Sequence, residues 1–281
     1  MTFLAFKVIS LQFVILGSAW AQDPVAVAIE RGQALALKKN RQEACTVLQR
    51  ALESTPAPAK ASRAKLLEAL HGIAKVFFTD KGQRAFEAGR SLMYEAPDMA
   101  LARFKEALDL ESDNIQILDN MARVQLMKPD CPAALATLNR ARQMNPWHAE
   151  AAVLELRALL CAQQMDILRE KAKNLPALDR WEESFVQFIL AQELLAQGQA
   201  KKAAEMLTKV TEEQPAFPEA YYHLGKALEE LGRAADAVHE KYVSLCKAIT
   251  SNERKKYSLE PRLCVNQKEV QDELAKKNSD L

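Results

Sequence analysis

Apolar residues recur at helical spacing in paired stretches along most of the chain. In one such pair, the stretch Pro218–Leu228 is interrupted at Gly232, and Ala235–Lys247 then repeats the pattern. A glycine between two amphipathic stretches is a common stop signal for a helix. The pattern therefore predicts a hairpin of two helices over residues 218–251.

The same hairpin pattern returns at a fixed interval. Moving back by 34 residues from 218–251 gives 184–217, where Gly198 stands at the place of Gly232 and the two units align without a gap. Further units with this arrangement are 25–58, 81–114 and 115–148. A fixed period of this length indicates a repeat architecture, in which neighbouring units bury each other's apolar faces.

These units resemble the tetratricopeptide repeat, a helix-turn-helix module with small residues at its eighth, twentieth and twenty-seventh positions and proline at its thirty-second. In the unit 115–148 these positions hold Ala122, Ala134, Ala141 and Pro146. The resemblance implies an all-α fold, a right-handed α-solenoid of stacked helix hairpins. Small residues at those positions would let the two helices of a hairpin approach closely.

Three segments depart from the period. Residues 59–80 are an insertion whose apolar spacing predicts an additional helix. Residues 149–183 number 35 and contain an internal proline, so we expect a degenerate unit there. The predicted solenoid spans 22–251, and 252–281 is predicted to be a C-terminal capping segment with a helix over 265–277.

The first 21 residues have the three regions of a secretory signal peptide. Lys7 gives a positive start, Val8–Leu16 is largely apolar, and Ala19 and Ala21 are small residues of the kind that signal peptidase accepts. We expect cleavage before Gln22 and export, to the periplasm if the source is a double-membrane bacterium. The alternative, an uncleaved anchor, is disfavoured because a bilayer span needs about 20 apolar residues. No later apolar run has that length, so no stable membrane span is expected in the mature chain.

Composition restricts the fold class and the partner. The chain has only 8 glycines and 6% aromatic residues against 49% hydrophobic residues, which disfavours an all-β fold. Its 38 lysines and arginines nearly balance 37 aspartates and glutamates, so no uniform positive field would attract phosphates. We therefore expect a protein or peptide partner and no nucleic acid.

Five cysteines follow the predicted cleavage site, and export would place them in a compartment that permits disulfides. Their spacing does not match a zinc site, so no metal is expected. The most economical pairing joins Cys131 to Cys161 and Cys246 to Cys264, and it leaves Cys45 free. In the alternative, all five are small buried hydrophobic residues at helix interfaces.

Motifs for catalysis are lacking in the sequence. The chain has 4 histidines and no G-x-S-x-G, H-E-x-x-H, P-loop or dinucleotide-binding pattern, so we expect neither an enzyme nor a cofactor. His223 and His239, in the two helices of one unit, are a weak candidate for a metal or pH-sensing pair. An envelope hydrolase on a helical scaffold is a minor alternative, which two converging carboxylates near the inserted helix would favour.

In tetratricopeptide repeat proteins the first helices of the units line a concave groove that binds a peptide or a partner helix, and the resemblance implies the same use here. The side chains that helical spacing would point into this groove are Gln33, Asp119, Arg123, Val153, Arg157, Phe185, Phe188, Gln192, Tyr222 and Lys226. In the alternative, Phe185, Phe188 and Tyr222 pack between neighbouring hairpins. We therefore predict a non-catalytic, exported adaptor, with a structural role in envelope assembly or multimerisation as the alternative.

Overall fold

The protein is described by a computed structural model over residues 23–54, 56–250 and 254–279. The predicted leader, 1–21, and its cleavage site before Gln22 lie outside these residues. Within them the chain forms 14 α-helices, one short 3-10 helix and no strand. The expected all-α solenoid is confirmed.

The helices follow one another in the chain with short connections. They are α1 (Pro24–Leu37), α2 (Arg41–Leu52), α3 (Lys60–Lys75), α4 (Asp80–Leu92), α5 (Pro97–Leu110), α6 (Ile115–Met127), α7 (Cys131–Met144), α8 (Ala149–Cys161), α9 (Met165–Ala172), α10 (Arg180–Ala196), α11 (Ala200–Glu213), α12 (Pro218–Glu230), α13 (Asp236–Ala248) and α14 (Gln267–Ser279), with the 3-10 helix Lys255–Tyr257 before α14. Hairpins are formed by α1 with α2, α4 with α5, α6 with α7, α8 with the short α9, α10 with α11, and α12 with α13. Each of these helices within the described ranges is too short or too polar to cross a bilayer.

Local signals begin and end many of these helices. The side chain of Asn40 accepts a hydrogen bond from a backbone amide in the first turn of α2, which satisfies a donor that the helix leaves unpaired. Asp179 and Glu182 form a reciprocal capping box at the start of α10. Gly198 and Gly232 follow α10 and α12 with φ of 70° and 66°, a left-handed conformation that glycine adopts without strain.

Small residues let the two helices of a hairpin approach closely. A Cβ atom added at Gly32 would lie 3.2 Å from the side chain of Leu48, and one added at Gly89 would lie 2.6 Å from the ring of Phe104. In the hairpin of α6 and α7, Ala122 is fully buried as well. The large residue of one helix therefore occupies the space that a small residue of the other leaves free.

The last hairpin departs from the period. Helix α13 begins 36 residues after α11, from 200 to 236, which is two more than the repeat length of 34. Ala237, which the period matches to the buried Ala203, is therefore exposed. His239 faces Gly225 instead, where an added Cβ would lie 2.0 Å from its ring. The alignment of these two units without a gap is wrong at α13, because two extra residues turn a helix by about 200°.

The inserted segment contains α3. A buried ion pair between α2 and the end of α5 lies next to the C-terminal end of this helix. Arg41 is 4% exposed, and its guanidinium lies 3.0 Å from a carboxylate oxygen of Glu111. The same guanidinium donates hydrogen bonds of 2.6 Å to the backbone carbonyls of Val76 and Ser112. Arg41 therefore joins α2 to the chain just beyond α3 and to the end of α5.

Four of the five cysteines are joined in two disulfides. The Cα atoms of Cys131 and Cys161 are 5.8 Å apart, and those of Cys246 and Cys264 are 5.7 Å apart. These are the two pairs expected from the sequence. Cys45 is free and buried, and its burial raises the pKa of its thiol to about 12.

The C-terminal part of the chain has two roles in the fold. Helix α14 packs on α13, with Val270 buried against Tyr242 and Val243, so it covers the end of the stack. The residues before α14 leave the end of the stack and contact helices further back along it. The segment predicted to be only a cap therefore also covers part of the face on which the candidate site lies.

Candidate functional site

The first helices of successive hairpins form one face of the molecule, which we call the inner face. Helices α6, α8, α10 and α12 lie side by side along it. Helix α4 belongs to the same face, and a cavity lies between α4 and α6. This is the face on which the sequence predicts partner binding. It has two parts, one covered by the chain itself and one open.

The covered part lies under residues Tyr257–Leu263, which we call the strap. Leu259 and Leu263 are 3% and 5% exposed and belong to the main hydrophobic core. The ring of Tyr257 lies 5.4 Å from that of Trp181 and 5.6 Å from that of Phe217. The strap therefore fills an aromatic and apolar surface formed by α10 and α12.

Arginines of α6 and α8 also hold the strap. Arg123 donates a hydrogen bond of 3.2 Å from Nε to the backbone carbonyl of Ser258. Arg157 Nε lies 3.1 Å from a carboxylate oxygen of Glu260, which is 4% exposed. Both arginines are among the predicted groove residues, which were expected to contact a partner. In the structure they bind the chain's own C-terminal segment.

A second buried carboxylate lies beside this ion pair. Glu219 of α12 is 4% exposed and accepts a hydrogen bond from the backbone amide of Cys264. Its burial, together with the nearby charge of Glu260, raises the pKa of Glu219 to about 8. His223, one turn further along α12, has its pKa lowered to about 3 by burial and by the charge of Arg157. At neutral pH both side chains are therefore mostly uncharged.

The open part is a cavity of about 930 Å³ between α4, α6 and the strap. Its wall combines apolar side chains with four basic and four acidic ones. The lining residues are Lys75, Phe86, Glu87, Arg90, Ser91, Met93, Tyr94, Glu95, Gln116, Asp119, Asn120, Arg123, Met127, Glu150, Arg254, Ser258, Pro261, Leu263 and Val265. Tyr94 is 36% exposed, and the side chain of Arg90 is 46% exposed.

Two pairs of polar side chains join α6 to α8 beside the cavity. Asp119 Oδ2 lies 2.7 Å from His148 Nε2, and Arg123 pairs with Glu150. One donor atom from each of Asp119, His148 and Glu150 lies within 4.8 Å of the others, a grouping of metal-ligand types that the sequence pattern did not indicate. Because the cation of Arg123 already neutralises Glu150, and would repel a metal ion, we assign no metal to this network.

Three of the predicted groove residues are buried in the core. Val153, Phe185 and Phe188 are each 0% exposed. Phe185 and Phe188 pack with each other and with Phe217, at centroid distances from 4.9 to 6.0 Å. The prediction that these three side chains contact a partner is wrong, because helical spacing selects a face and does not reveal what covers it. The alternative of packing between hairpins describes the two phenylalanines.

The remaining predicted residues are spread along the molecule. Gln33 lies in the first hairpin beside an apolar pocket that includes Val76 and Phe77. Gln192 is partly buried in α10. Lys226 lies 3.4 Å from Glu229 and 5.8 Å above the ring of Tyr222, which itself packs 5.4 Å from Tyr242. Of the predicted set, Asp119 and Arg123 border the open cavity.

The two predicted histidines face different surroundings. His223 packs 5.4 Å from the ring of Phe188, and His239 lies against Gly225 with its Nδ1 3.7 Å from Glu229. Both rings also lie near Tyr222, at 5.0 Å for His223 and 6.5 Å for His239 between ring centroids. Their contacts give no support to a shared metal site.

Sequence reasoning missed Arg90 and Tyr94 of the cavity and Trp181 under the strap. Arg90 lies in α4, a first helix, so its position was in principle accessible from helical spacing. Tyr94 follows the end of α4, in a turn to which the helical period does not extend. An aromatic residue in a turn between two helices is a signal that could have found it.

Residues 190–252 match a family model described as tetratricopeptide repeat, and no curated protein matches the chain. Similar solved structures include MamA from Desulfovibrio magneticus RS-1, residues 41 to the end, at 16% identity and a TM-score of 0.46, covering 61% of this chain and 96% of that one. A tetratricopeptide repeat protein from Parabacteroides merdae ATCC 43184 is 18% identical at a TM-score of 0.43, covering 90% and 98%. A human IFIT1 dimer with m7Gppp-AAAA is 16% identical at a TM-score of 0.48, covering 90% and 67%.

Proposed function

We propose, on the premise that the chain is a tetratricopeptide repeat protein, that it is a non-catalytic adaptor whose inner face binds a partner protein. The observation that carries the proposal is the open cavity of about 930 Å³ on this face. Its walls present the exposed Tyr94 and Arg90 next to buried apolar side chains. Exposed aromatic and arginine side chains beside an apolar pocket are typical anchors of protein recognition.

The charge of the cavity favours a polypeptide over a nucleic acid. Four basic side chains face four acidic ones, so the cavity has no excess of positive charge to attract phosphates. A polypeptide carries both signs of charge together with apolar side chains, and can complement such a wall. We therefore propose a protein or peptide partner.

The pairing of Asp119 and Glu150 disfavours a hydrolase that uses these two acids as an acid and base pair. Asp119 is engaged with His148, and Glu150 is engaged with Arg123. Acid and base pairs of hydrolases need carboxylates that can exchange protons with substrate or water. Both carboxylates where α6 meets α8 are instead used to join the two helices.

We also propose that the protein is exported and acts in the cell envelope, in the periplasm if the source has two membranes. The support is the leader itself, with an apolar run followed by Ala19 and Ala21. The pairing of four cysteines in two disulfides fits an oxidising compartment.

The experiment compares two double variants with the same change of charge. Arg90→Glu with Tyr94→Ala alters the cavity, whereas Lys105→Glu with Met99→Ala alters exposed positions on α5, a second helix. Tagged protein recovered from the envelope fraction is first checked by intact mass for a chain that begins at Gln22. Proteins that co-purify with each form are then identified and quantified by mass spectrometry.

We expect the cavity variant to retain its main partner about tenfold less than wild type, and the α5 variant to retain it fully. Equal retention by the two variants would contradict the use of the cavity. A protein that self-associates and retains no partner would instead support the structural role in envelope assembly. An intact mass that still includes the leader would count against export with cleavage.

A further inference from the structure

We propose that the strap is a built-in occupant of a second peptide-binding surface, on α8, α10 and α12. The partner of that surface is a non-helical peptide with an aromatic residue, a leucine two positions later and an acidic residue directly after the leucine. This is the chemistry that Tyr257, Leu259 and Glu260 present. The inference rests on the proposed function only in that the inner face binds polypeptides.

The apolar contacts of the strap are those of a docked peptide. Tyr257 packs against both Trp181 and Phe217, at 5.4 and 5.6 Å between ring centroids. Leu259 follows in a turn and is 3% exposed. A groove recognises the sequence of a short peptide when individual side chains of the peptide bind in separate pockets.

Of the polar contacts, one recognises a particular side chain of the strap and one recognises its backbone. Arg157 forms an ion pair with Glu260, at 3.1 Å, and would therefore favour a peptide with an acidic side chain at this position. Arg123 binds the backbone carbonyl of Ser258, at 3.2 Å, which any peptide would supply. Both arginines lie on first helices, where a partner would also meet them.

The docking of the strap is not optimised for permanent burial. It places Glu260 near the buried Glu219, so that two acidic side chains share one enclosed region with one guanidinium, that of Arg157, and only one of the two acids can be ionised at little cost. An apolar side chain at either acidic position would avoid this cost of burial. A surface that must also accept an acidic peptide would retain Arg157, and the strap would then need an acid to match it.

The disulfide between Cys246 and Cys264 keeps the strap in place. Cys264 directly follows Leu263, the last residue of the strap, and is tied to α13. A tethered segment competes with a free peptide at an effective concentration on the order of millimolar. Without this cross-link the strap stays joined to α13 and α14 through the backbone but can move further from the surface, which should lower that effective concentration and let a free peptide of the same sequence compete.

The experiment uses a fluorescein-labelled peptide of residues 257–263 and measures its binding to the full mature chain by fluorescence anisotropy. The variant Cys246→Ser with Cys264→Ser, which we call the released variant, removes the cross-link at the end of the strap. The control Cys131→Ser with Cys161→Ser removes the other disulfide, which joins the start of α7 to the end of α8 and does not include a residue next to the strap in the chain. We expect the peptide to bind the first variant at least about tenfold more tightly than it binds wild type or the control.

A charge exchange tests the assigned chemistry. Adding Arg157→Glu to the released variant should weaken binding of the peptide about tenfold or more, and a peptide with arginine at the place of Glu260 should recover most of that loss. A peptide with alanine for Tyr257 should also bind more weakly. Equal binding of all three peptides would overturn the assignment.

A measurement on the unmodified protein covers the case in which the released variant does not fold. In hydrogen exchange of the disulfide-intact wild type, the strap amides should exchange at least about a hundredfold faster than the amides of α8 and α10, through separate local opening. Exchange at the rate of those helices would overturn the proposal, as would a folded, released variant that does not bind the peptide. The peptide should bind equally when Arg90→Glu and Tyr94→Ala are added, so failure at the open cavity and failure at the strap remain distinguishable.

Discussion

The two parts of the inner face are made of equivalent helices and yet differ in what covers them. Under the strap, Trp181 and Phe217 belong to a continuous aromatic cluster. In the open part, the wall mixes separate apolar side chains with paired charges such as Arg123 with Glu150. Exposure of a large aromatic surface to water is costly, whereas paired charges tolerate hydration.

This difference shows that the repeat architecture provides a face but does not decide its use. The inner face remains open where apolar and charged side chains are mixed, and it is covered where aromatic side chains form a continuous cluster. The same two types of surface suit two types of contact, a mixed polar one in the cavity and an apolar one with a single ion pair under the strap. The following changes act on one part and leave the other as a reference.

The largest effect is expected from loss of the ion pair that supports the side of the open part. Arg41→Met leaves the buried carboxylate of Glu111 without its cation, which should lower the free energy of unfolding by about 3–5 kcal/mol. Urea denaturation followed by circular dichroism measures this loss. Arg103→Met is the control, since its pair with Glu106 is exposed and should contribute at most about 1 kcal/mol. Similar losses in the two variants would show that burial of the pair is unimportant.

The same pair also predicts sensitivity of the Arg41 junction to acid. Burial alone would raise the pKa of Glu111, but hydrogen bonds from the Phe78 amide, the Thr79 hydroxyl and Arg41 hold it below its usual value. A lowered pKa in the folded state stabilises the protein above the ordinary pKa of the carboxyl, and this contribution is lost as the pH falls through the folded value. The loss of unfolding free energy caused by Arg41→Met should therefore become smaller as the pH falls and Glu111 is protonated in both proteins.

An intermediate effect is expected from the strap. Leu259→Ala truncates a side chain that is 3% exposed and packs in the main core. This should reduce the free energy that holds the strap in its folded position by about 2–4 kcal/mol. Val265→Ala is the control, because Val265 is 54% exposed just beyond the strap. Hydrogen exchange should show faster exchange over residues 257–263 and unchanged exchange in α4 and α6. Faster exchange throughout the chain would mean that the two parts of the inner face are not independent.

The smallest effect is expected from the buried acid beneath the strap. Since the pKa of Glu219 is raised to about 8 from 4.5, the folded state holds a proton that the unfolded state releases, and stability falls as the pH rises between these values. Glu219→Gln removes this term, so its advantage over wild type should grow by about 1 kcal/mol from pH 6 to pH 7. The charged or titratable groups around Glu219 are Glu260, Arg157, Arg262, Tyr222 and Tyr242.

The measurement is the difference between wild type and Glu219→Gln in urea denaturation at each pH. Glu230→Gln, at an exposed position at the end of the same helix, is the control and should give a difference that stays constant with pH. An advantage of Glu219→Gln that is independent of pH would show that the carboxyl is not protonated in the folded protein.

Much of the fold follows from residues close together in the chain. The glycines and alanines that recur at the repeat interval, such as Gly32 and Ala122, lie where helices cross closely. Caps such as Asp179 and turns such as Gly198 act within a few residues of the helix ends. These signals are local, because the backbone hydrogen bonds and side-chain faces of a helix repeat every few residues.

The site was less accessible to the same reasoning. Helical spacing placed Arg123 and Arg157 on the inner face, and both lie there, but it also placed Phe188 among exposed groove residues although it is fully buried. A helical period reports which residues share a face and contains no information on what packs against that face. The charged residues were placed on the correct face, but Asp119 and Arg123 are themselves buried there by contacts that the period does not show.

Local spacing thus specified the paired helices and the face they share. The division of that face into an open cavity and a covered surface came only with the return of the C-terminal chain across it. The contacts that make the division join residues 103 positions apart, Arg157 with Glu260, and 135 positions apart, Arg123 with Ser258. Contacts over such separations depend on the path of the whole chain, which periodicity within single helices does not encode.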